Sequence, residues 1–192
     1  MNEAAIYECG RLFALLSSMY LCKPTRESLA NWRQLLGNEP LTEAEALVMA
    51  LDAIDLGSEQ EIEDILWDYT RLFIGPHRLP CPPLESVYTS PKRLMMQNAY
   101  DEVREFYARI GIEVGSADVM PDHIGAELNF LAILFDRMVA DPEKRLLYEE
   151  MTEEFLSGHL RNWVPSFTAD QEEAAETLLY KALARITRES VA

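Results

Sequence analysis

The sequence predicts an all-α fold, a compact single-domain bundle of seven to eight or more helices that spans residues 1–192. Apolar residues recur at three- and four-residue spacing along most of the chain, which is typical of helices with one buried face. No segment alternates apolar and polar residues for long enough to indicate a strand. Prolines and glycines divide the chain into short segments, so we expect helices of ordinary length with short connections.

Four helices are expected in the first part of the chain, over residues 3–22, 28–36, 43–56 and 59–73. Thr25, Thr42 and Ser58 precede the last three helices. Their hydroxyls are suited to N-capping because they can accept a hydrogen bond from a free amide of the first turn. Glu45 and Glu61 follow two of these caps by three residues. This spacing predicts two capping boxes.

Residues 71–88 interrupt the helical pattern and contain four of the ten prolines. A helix that reaches Phe73 must end near Gly75-Pro76, and Pro82-Pro83 favours an extended path. The segment also carries too much apolar surface for a disordered linker. We therefore expect it to pack against the helices and to line a groove. It carries the apolar and aromatic residues Leu72, Phe73, Leu79, Leu84, Val87 and Tyr88, among others.

The rest of the chain predicts further helices over residues 91–110, 124–140, 142–156 and 169–189. Ser90 and Thr168 are the expected caps of the first and last of these helices. A break or kink is expected over residues 158–165, which contain Gly158 and Pro165. Residues 112–121 form the expected linker, and they are the only plausible hinge between two halves of the bundle.

Composition favours an acidic globular protein with a net charge of −16. Such a charge repels nucleic acid, so we expect no nucleic-acid partner. It would attract an arginine- or lysine-bearing peptide, although it could also serve solubility alone. No apolar run reaches the roughly 20 residues that a bilayer span needs, so no stable membrane insertion is expected.

The cysteine pattern and the N-terminus predict a cytoplasmic location. Cys9, Cys22 and Cys81 are an odd number and lack metal-ligand spacing, which favours free thiols in a reducing compartment. Residues 1–4 have no basic character, so the sequence start does not resemble a secretory signal.

Asp122 and His123 stand at the start of the most apolar predicted helix. An acidic residue at this position can cap the helix, and the pair could equally bind a guanidinium group or a polar backbone. His123 and Glu127 are spaced for one helical face, but two ligands are too few for a metal site.

The sequence predicts no catalytic set and no cofactor. Cys81 and His77 form a nucleophile pair only with a geometry that the sequence does not show. Ser86 lacks the glycines of a nucleophile elbow, and no glycine-rich phosphate loop is present. The residues therefore favour a binding module. A hydrolase that uses His123 with Glu127 or Cys81 is the weakest alternative.

Three motifs in fixed order resemble the TorD/DmsD family of redox-enzyme maturation chaperones. The resemblance covers about residues 65–190. The first motif has two parts, Tyr69-x-x-Leu72-Phe73-x-Gly75-Pro76 and Pro82-Pro83-x-x-Ser86-Val87-Tyr88. The second is Pro121-Asp122-His123-Ile124-Gly125-x-Glu127-Leu128-x-Phe130. The third is Phe155-x-x-x-His159-Leu160-x-x-Trp163-x-x-x-Phe167, followed by Tyr180-x-x-Leu183.

This resemblance implies a TorD-like helical chaperone without enzymatic activity. Such a protein binds the twin-arginine signal peptide of a molybdopterin-containing reductase in its apo-form, and sometimes the body of that reductase. It holds its client in the cytoplasm until the cofactor is inserted. The resemblance also implies a monomer, or a homodimer that exchanges halves at residues 112–121. The alternative is an assembly factor that binds the folded reductase independently of its signal.

Matching positions imply a peptide-binding set at Leu72, Phe73, Pro83, Leu84, Tyr88, Asp122 and His123. Relatives of the dimethyl sulfoxide reductase type often carry tryptophan where Leu84, and sometimes Tyr88, stand in this chain. The resemblance therefore does not decide whether the client is an enzyme of the dimethyl sulfoxide reductase type or of the trimethylamine N-oxide reductase type. Leu84 and Tyr88 could also simply hold the loop against the core.

Overall fold

The computed structural model describes residues 2–37, 44–76, 78–112 and 119–192, and within these ranges the chain forms helices and no β-strand. The α-helices of these described ranges are α1 (Glu3–Leu21), α2 (Arg26–Gly37), α3 (Glu45–Asp52), α4 (Glu59–Tyr69), α5 (Glu85–Thr89), α6 (Asn98–Arg109), α7 (Ile124–Ala140), α8 (Arg145–Phe155), α9 (Arg161–Ala174) and α10 (Leu178–Val191). A π-helical turn (Thr70–Ile74) follows α4, a 3₁₀ turn (Pro142–Lys144) precedes α8, and a second π-helical turn (Leu156–Leu160) joins α8 to α9. The predicted all-α fold class is confirmed.

The chain divides into two compact units, and each is built from two separate stretches of sequence. The first unit is Met1–Leu21 with Pro83–Val164, and the second is Cys22–Pro82 with Pro165–Ala192. The single domain and the hinge at residues 112–121 stay predictions. Residues 113–118 of that segment, like Thr42 and His77, lie outside the described residues.

Helix α7 is the centre of the first unit, where it packs against α1 and α8. Its apolar residues at helical spacing are buried, and Leu128, Leu131 and Leu134 are fully inaccessible. The rings of Phe13 on α1 and Phe135 on α7 stack with centroids 5.6 Å apart. This packing fixes the N-terminal end of α7, which carries the residues of the second motif.

In the second unit, α10 packs against α3 and α4, and α2 packs against α3. The predicted cap Thr25 is confirmed, because its hydroxyl accepts a hydrogen bond from the Ser28 amide at 3.1 Å. Ser58 likewise accepts from the Glu61 amide at 3.3 Å. The capping box predicted for this pair is wrong in its second half, since the Glu61 carboxylate accepts from the Asp55 amide instead.

The helix predicted over residues 91–110 begins later than expected. The short helix α5 ends at Thr89, and the next helix starts only at Asn98. Arg93 and Met96 adopt positive φ angles of 52° and 55°, which a right-handed helix does not allow. Residues 90–97 are therefore turns between α5 and α6.

Of the break or kink predicted over residues 158–165, the break is wrong, because these residues stay helical. A π-helical turn leads directly into α9, and Pro165 lies inside that helix. Widened π turns are a known way to absorb local irregularity in a helix. Thr168 is therefore not a cap. The last helix is capped by Thr177, whose hydroxyl accepts from the Tyr180 amide at 3.5 Å.

Among the described helices, none combines the length and the apolar character that a membrane span needs.

Candidate functional site

An antiparallel bridge between Leu84 and His123 joins the first and second motifs in the first unit. The Glu85 amide donates to the Asp122 carbonyl at 2.9 Å, and the Ile124 amide donates to the Pro83 carbonyl at 3.0 Å. The bridge therefore places Pro83, Leu84 and the start of α5 beside the start of α7. The structure brings together these parts of the predicted peptide-binding set, which lie far apart in sequence.

Asp122 is fully buried and acts within this bridge. One carboxylate oxygen, Oδ2, accepts a hydrogen bond from the Ser86 amide at 3.1 Å. The other, Oδ1, is buried and has no partner among the described residues. The carboxylate thus holds the first turn of α5 against the start of α7, and it does not face solvent as a peptide-binding group would.

His123, and not Asp122, caps α7. Its Nδ1 accepts a hydrogen bond from the Gly125 amide at 3.0 Å. Burial lowers the pKa of His123 to about 4, so the imidazole is neutral at pH 7 and carries its proton on Nε2. A neutral donor of this kind can bind a peptide carbonyl, and it would not repel an approaching guanidinium group.

The other predicted residues of the first unit hold the segment after the prolines in place. Pro83 and Leu84 are buried, whereas Tyr88 is half-buried. The Tyr88 ring lies 5.7 Å from the Trp163 ring, and the Arg93 guanidinium carbon lies 4.9 Å from the Tyr88 centroid. Tyr88 and His123 are therefore the two predicted residues of this unit that keep some surface for a ligand.

Leu72 and Phe73 belong to the core of the second unit. Both are buried in the π-helical turn after α4. The Phe73 ring lies 5.6 Å from Tyr69 and 5.7 Å from Tyr180, both edge to face. These contacts give Phe73 a packing role, and its predicted contact with a peptide stays untested.

A buried polar network, which the sequence pattern does not reveal as a unit, lies beside the bridge. His159 Nδ1 lies 3.0 and 3.2 Å from the two oxygens of the Glu85 carboxylate. The Trp163 indole donates to Glu127 Oε2 at 3.1 Å. Burial raises the pKa of Glu127 well above its usual range, and the negative charge of Glu85 raises it further.

One signal could have predicted that Glu127 is buried. It stands on α7 among Ile124, Leu128 and Leu131, which share its helical face. A glutamate on such a face must enter the core and needs a partner there. The partner itself could not be predicted, because Trp163 is 36 residues away in sequence.

The groups proposed for hydrolysis are not activated. Cys81 is buried, its thiol donates to the Leu72 carbonyl at 3.6 Å, and burial raises the pKa of the thiol to about 12. His123 uses Nδ1 for the helix cap, and Glu127 pairs with Trp163. Among the described residues there is no group of three metal-ligating side chains.

Gly125 is required for the close approach of α1 to the start of α7. A Cβ atom at this position would lie 2.5 Å from Leu21 Cγ, well inside van der Waals contact. The neighbouring Ser17 hydroxyl donates to the Gly125 carbonyl at 2.7 Å, which holds the two helices together. The alanine variant must therefore displace the Leu21 side chain, at the end of α1, from its contact with the start of α7.

We expect Gly125→Ala to lower the free energy of unfolding by about 1–3 kcal/mol, because the contact between Leu21 and the start of α7 must rearrange to admit the methyl group. Gly158→Ala is the matched control, since nothing lies within 4 Å of its added Cβ. The control should be neutral or up to about 1 kcal/mol more stable, as alanine favours helix. Urea denaturation measures both, and equal stability of the two variants would contradict the prediction.

Comparison with known proteins places the chain in a family. The family model for the nitrate reductase delta subunit matches residues 20–169. The Tat proofreading chaperone DmsD of Salmonella typhi is 28% identical, with 93% of this chain and 84% of that protein covered. The chaperone protein YcdY of Escherichia coli is 27% identical, with 100% of this chain and 93% of that protein covered.

Two further comparisons give the same result. A Haemophilus influenzae protein, "Probable Tat proofreading chaperone DmsD", is 32% identical over 70% of this chain, and the match spans only 60% of that protein. The crystal structure of a candidate redox enzyme maturation protein from Archaeoglobus fulgidus superposes with a TM-score of 0.65. It is 25% identical, and the match covers 94% of this chain and 91% of that one.

The curated relatives are named as chaperones and not as enzymes, in agreement with the prediction of a non-enzymatic protein. The family predicted from the three motifs is confirmed as well. The chain belongs to the nitrate reductase delta subunit family and, within it, to the TorD/DmsD group of redox-enzyme maturation chaperones.

Proposed function

We propose that this chain binds the twin-arginine signal peptide of a molybdenum-cofactor oxidoreductase in the cytoplasm and assists cofactor insertion before export. The client is an apo-reductase of the dimethyl sulfoxide or trimethylamine N-oxide reductase type. The observation that carries the proposal is the Leu84–His123 bridge, which joins two motifs in one place. The names of the Salmonella and Haemophilus relatives, which include Tat proofreading, support it.

The charge and the surface of the chain fit such a peptide. A net charge of −16 attracts the basic end of a twin-arginine signal. An apolar cleft of about 180 Å³ in the first unit could take part of the apolar segment that follows the arginines. The cleft is lined by Leu21, Tyr107, Ile112, Val119, Ala126, Asn129, Phe130 and Ile133.

We expect calorimetry to show binding of a synthetic peptide that carries two adjacent arginines ahead of an apolar segment. Affinity should fall several-fold between about 50 and 300 mM salt, because part of the attraction is screened. A peptide of the same length and charge with a scrambled order of residues is the control. Equal affinity for both peptides, or no binding of either, would refute the proposal.

A second candidate function is assembly of the reductase body without use of its signal. Burial favours it, because five of the seven predicted peptide-binding residues are buried: Leu72, Phe73, Pro83, Leu84 and Asp122. Pull-down of a client that lacks its signal separates the two functions. An assembly factor retains the signal-deleted client, and a chaperone that binds only through the signal loses it.

A further inference from the structure

A polar cavity of about 390 Å³ opens in the first unit beside the buried Glu85. Its volume is within the range of ligand pockets, about 300–1,000 Å³. Besides Glu85, its walls are formed by Thr89, Ser90, Pro91, Gln97, Asn98, Ala99, Glu102, Gly158 and Asn162. It is separate from the apolar cleft, because none of these residues lines both.

Two carboxylates give this cavity its charge. Glu85 is 2% exposed, so its charge is held in a fixed position next to His159. Glu102 lies on α6 and is exposed. The described lining residues include no lysine and no arginine. The cavity is therefore suited to a cation.

Two side-chain amides of the lining, those of Gln97 and Asn162, already donate to carbonyls of this chain. The Gln97 amide nitrogen donates to the carbonyls of Met95 and Met96 at 3.0 and 3.2 Å. The Asn162 amide nitrogen donates to the Ser157 and Gly158 carbonyls at 3.3 and 2.6 Å.

Thr89 behaves in the same way, since its hydroxyl donates to the Glu85 backbone carbonyl at 3.1 Å. Gln97, Asn162, Glu85 and Glu102 also line the cavity, and each of them carries side-chain acceptor oxygens. A surface rich in acceptors favours a ligand that has several donors and no acceptor. Guanidinium is the protein group that meets this description, with five N–H donors in one plane.

A short run of exposed apolar residues lies in sequence between two residues of the cavity wall. Leu94, Met95 and Met96 are 49%, 55% and 61% exposed, and they lie between the lining residues Pro91 and Gln97. Methionine side chains adapt readily to varied apolar partners. A ligand that continues from a guanidinium group into an apolar segment would find both surfaces together.

We propose that this cavity binds an arginine side chain of the client peptide, with Glu85 and Glu102 as its carboxylate partners. The inference rests on the proposed function and extends it, because it assigns the arginines to the cavity and leaves Asp122 a positioning residue. The apolar side chains of residues 94–96 contact the segment that follows the arginines. Glu85 and Glu102 together accept more of the guanidinium N–H groups than either could alone.

The test compares Glu102→Gln with Glu105→Gln by calorimetry against the twin-arginine peptide. Both glutamates are exposed on α6, and both variants change the net charge by the same amount, but only Glu102 lines the cavity. We expect Glu102→Gln to weaken binding about three- to tenfold and Glu105→Gln less than twofold. A peptide with both arginines replaced by citrulline should bind wild type and Glu102→Gln equally.

Glu102→Gln alters an exposed side chain, so its folding is not at risk, and circular dichroism confirms the fold of both variants. If wild type binds the peptide and the two variants weaken it equally, the cavity does not receive the arginine, and the proposed function stands. If wild type does not bind the peptide, the proposed function is refuted and this inference with it. Weaker peptide binding by Glu102→Gln alone supports both the proposed function and the assignment of the arginine to this cavity.

Discussion

Phe73→Ala is expected to lower the free energy of unfolding by about 3–5 kcal/mol, the usual cost of removing a buried aromatic ring. Phe73 is 5% exposed and contacts Tyr69, Phe167 and Tyr180 by ring-to-ring packing in the second unit. The cavity left by the ring would be bordered by these three side chains and could close only partly. Urea denaturation followed by circular dichroism measures the loss.

Ile74→Ala is the matched control, because Ile74 follows Phe73 in the same π-helical turn and is 61% exposed. We expect this variant to stay within about 0.5 kcal/mol of wild type. Peptide binding should be measured for Phe73→Leu as well, since leucine retains much of the buried volume. A stable Phe73→Ala protein with lost peptide binding would show that the ring serves recognition and not packing.

A motif comparison cannot distinguish a residue that recognises a peptide from one that packs in the core. The resemblance assigns Leu72 and Phe73 to the peptide-binding set, but a core requires the same apolar residues. Ile65, Tyr69 and Leu72 recur at helical intervals, which favours one buried face from α4 into the following turn, and all three are buried in the structure. The spacing could not predict that the last turn widens into a π turn.

The candidate site depends on contacts that a local pattern cannot predict. The Ser86 amide and the Asp122 carboxylate are 36 residues apart, and Glu85 and His159 are 74 residues apart. All four residues belong to the motifs or lie next to a motif residue. Their pairing required the packing of α5 and α7, which depends on the whole first unit.

Asp68 shows the same limit in the second unit. The sequence places it on the acidic outer face of the helix that begins at Glu59, together with Glu61, Glu63 and Asp64. In the structure Asp68 is fully buried, whereas Asp64 is exposed. The difference arises from Glu176 and Thr177, which are 108 and 109 positions further along the chain than Asp68. Their backbone amides donate to the carboxylate of Asp68 and not to that of Asp64.

The Asp68 carboxylate holds the junction between α9 and α10. Its Oδ2 accepts from the Glu176 amide at 3.0 Å, the Thr177 amide at 2.8 Å and the Thr177 hydroxyl at 2.9 Å. Its Oδ1 accepts from Arg71 at 2.7 Å, and the same Arg71 nitrogen donates to the Ala174 carbonyl at 2.5 Å. The negative charge also lies at the start of α10, where the helix dipole favours it.

We therefore expect Asp68→Ala to cost about 3–5 kcal/mol, since it leaves a part-buried arginine and several donors without their shared acceptor. Asp64→Ala, one turn earlier on α4, removes the same charge from the surface and should change stability by less than about 0.5 kcal/mol. Denaturant unfolding compares the two variants. Similar stability for both would mean that the carboxylate contributes only charge. A large difference would mean that the start of α10 depends on a single side chain of α4.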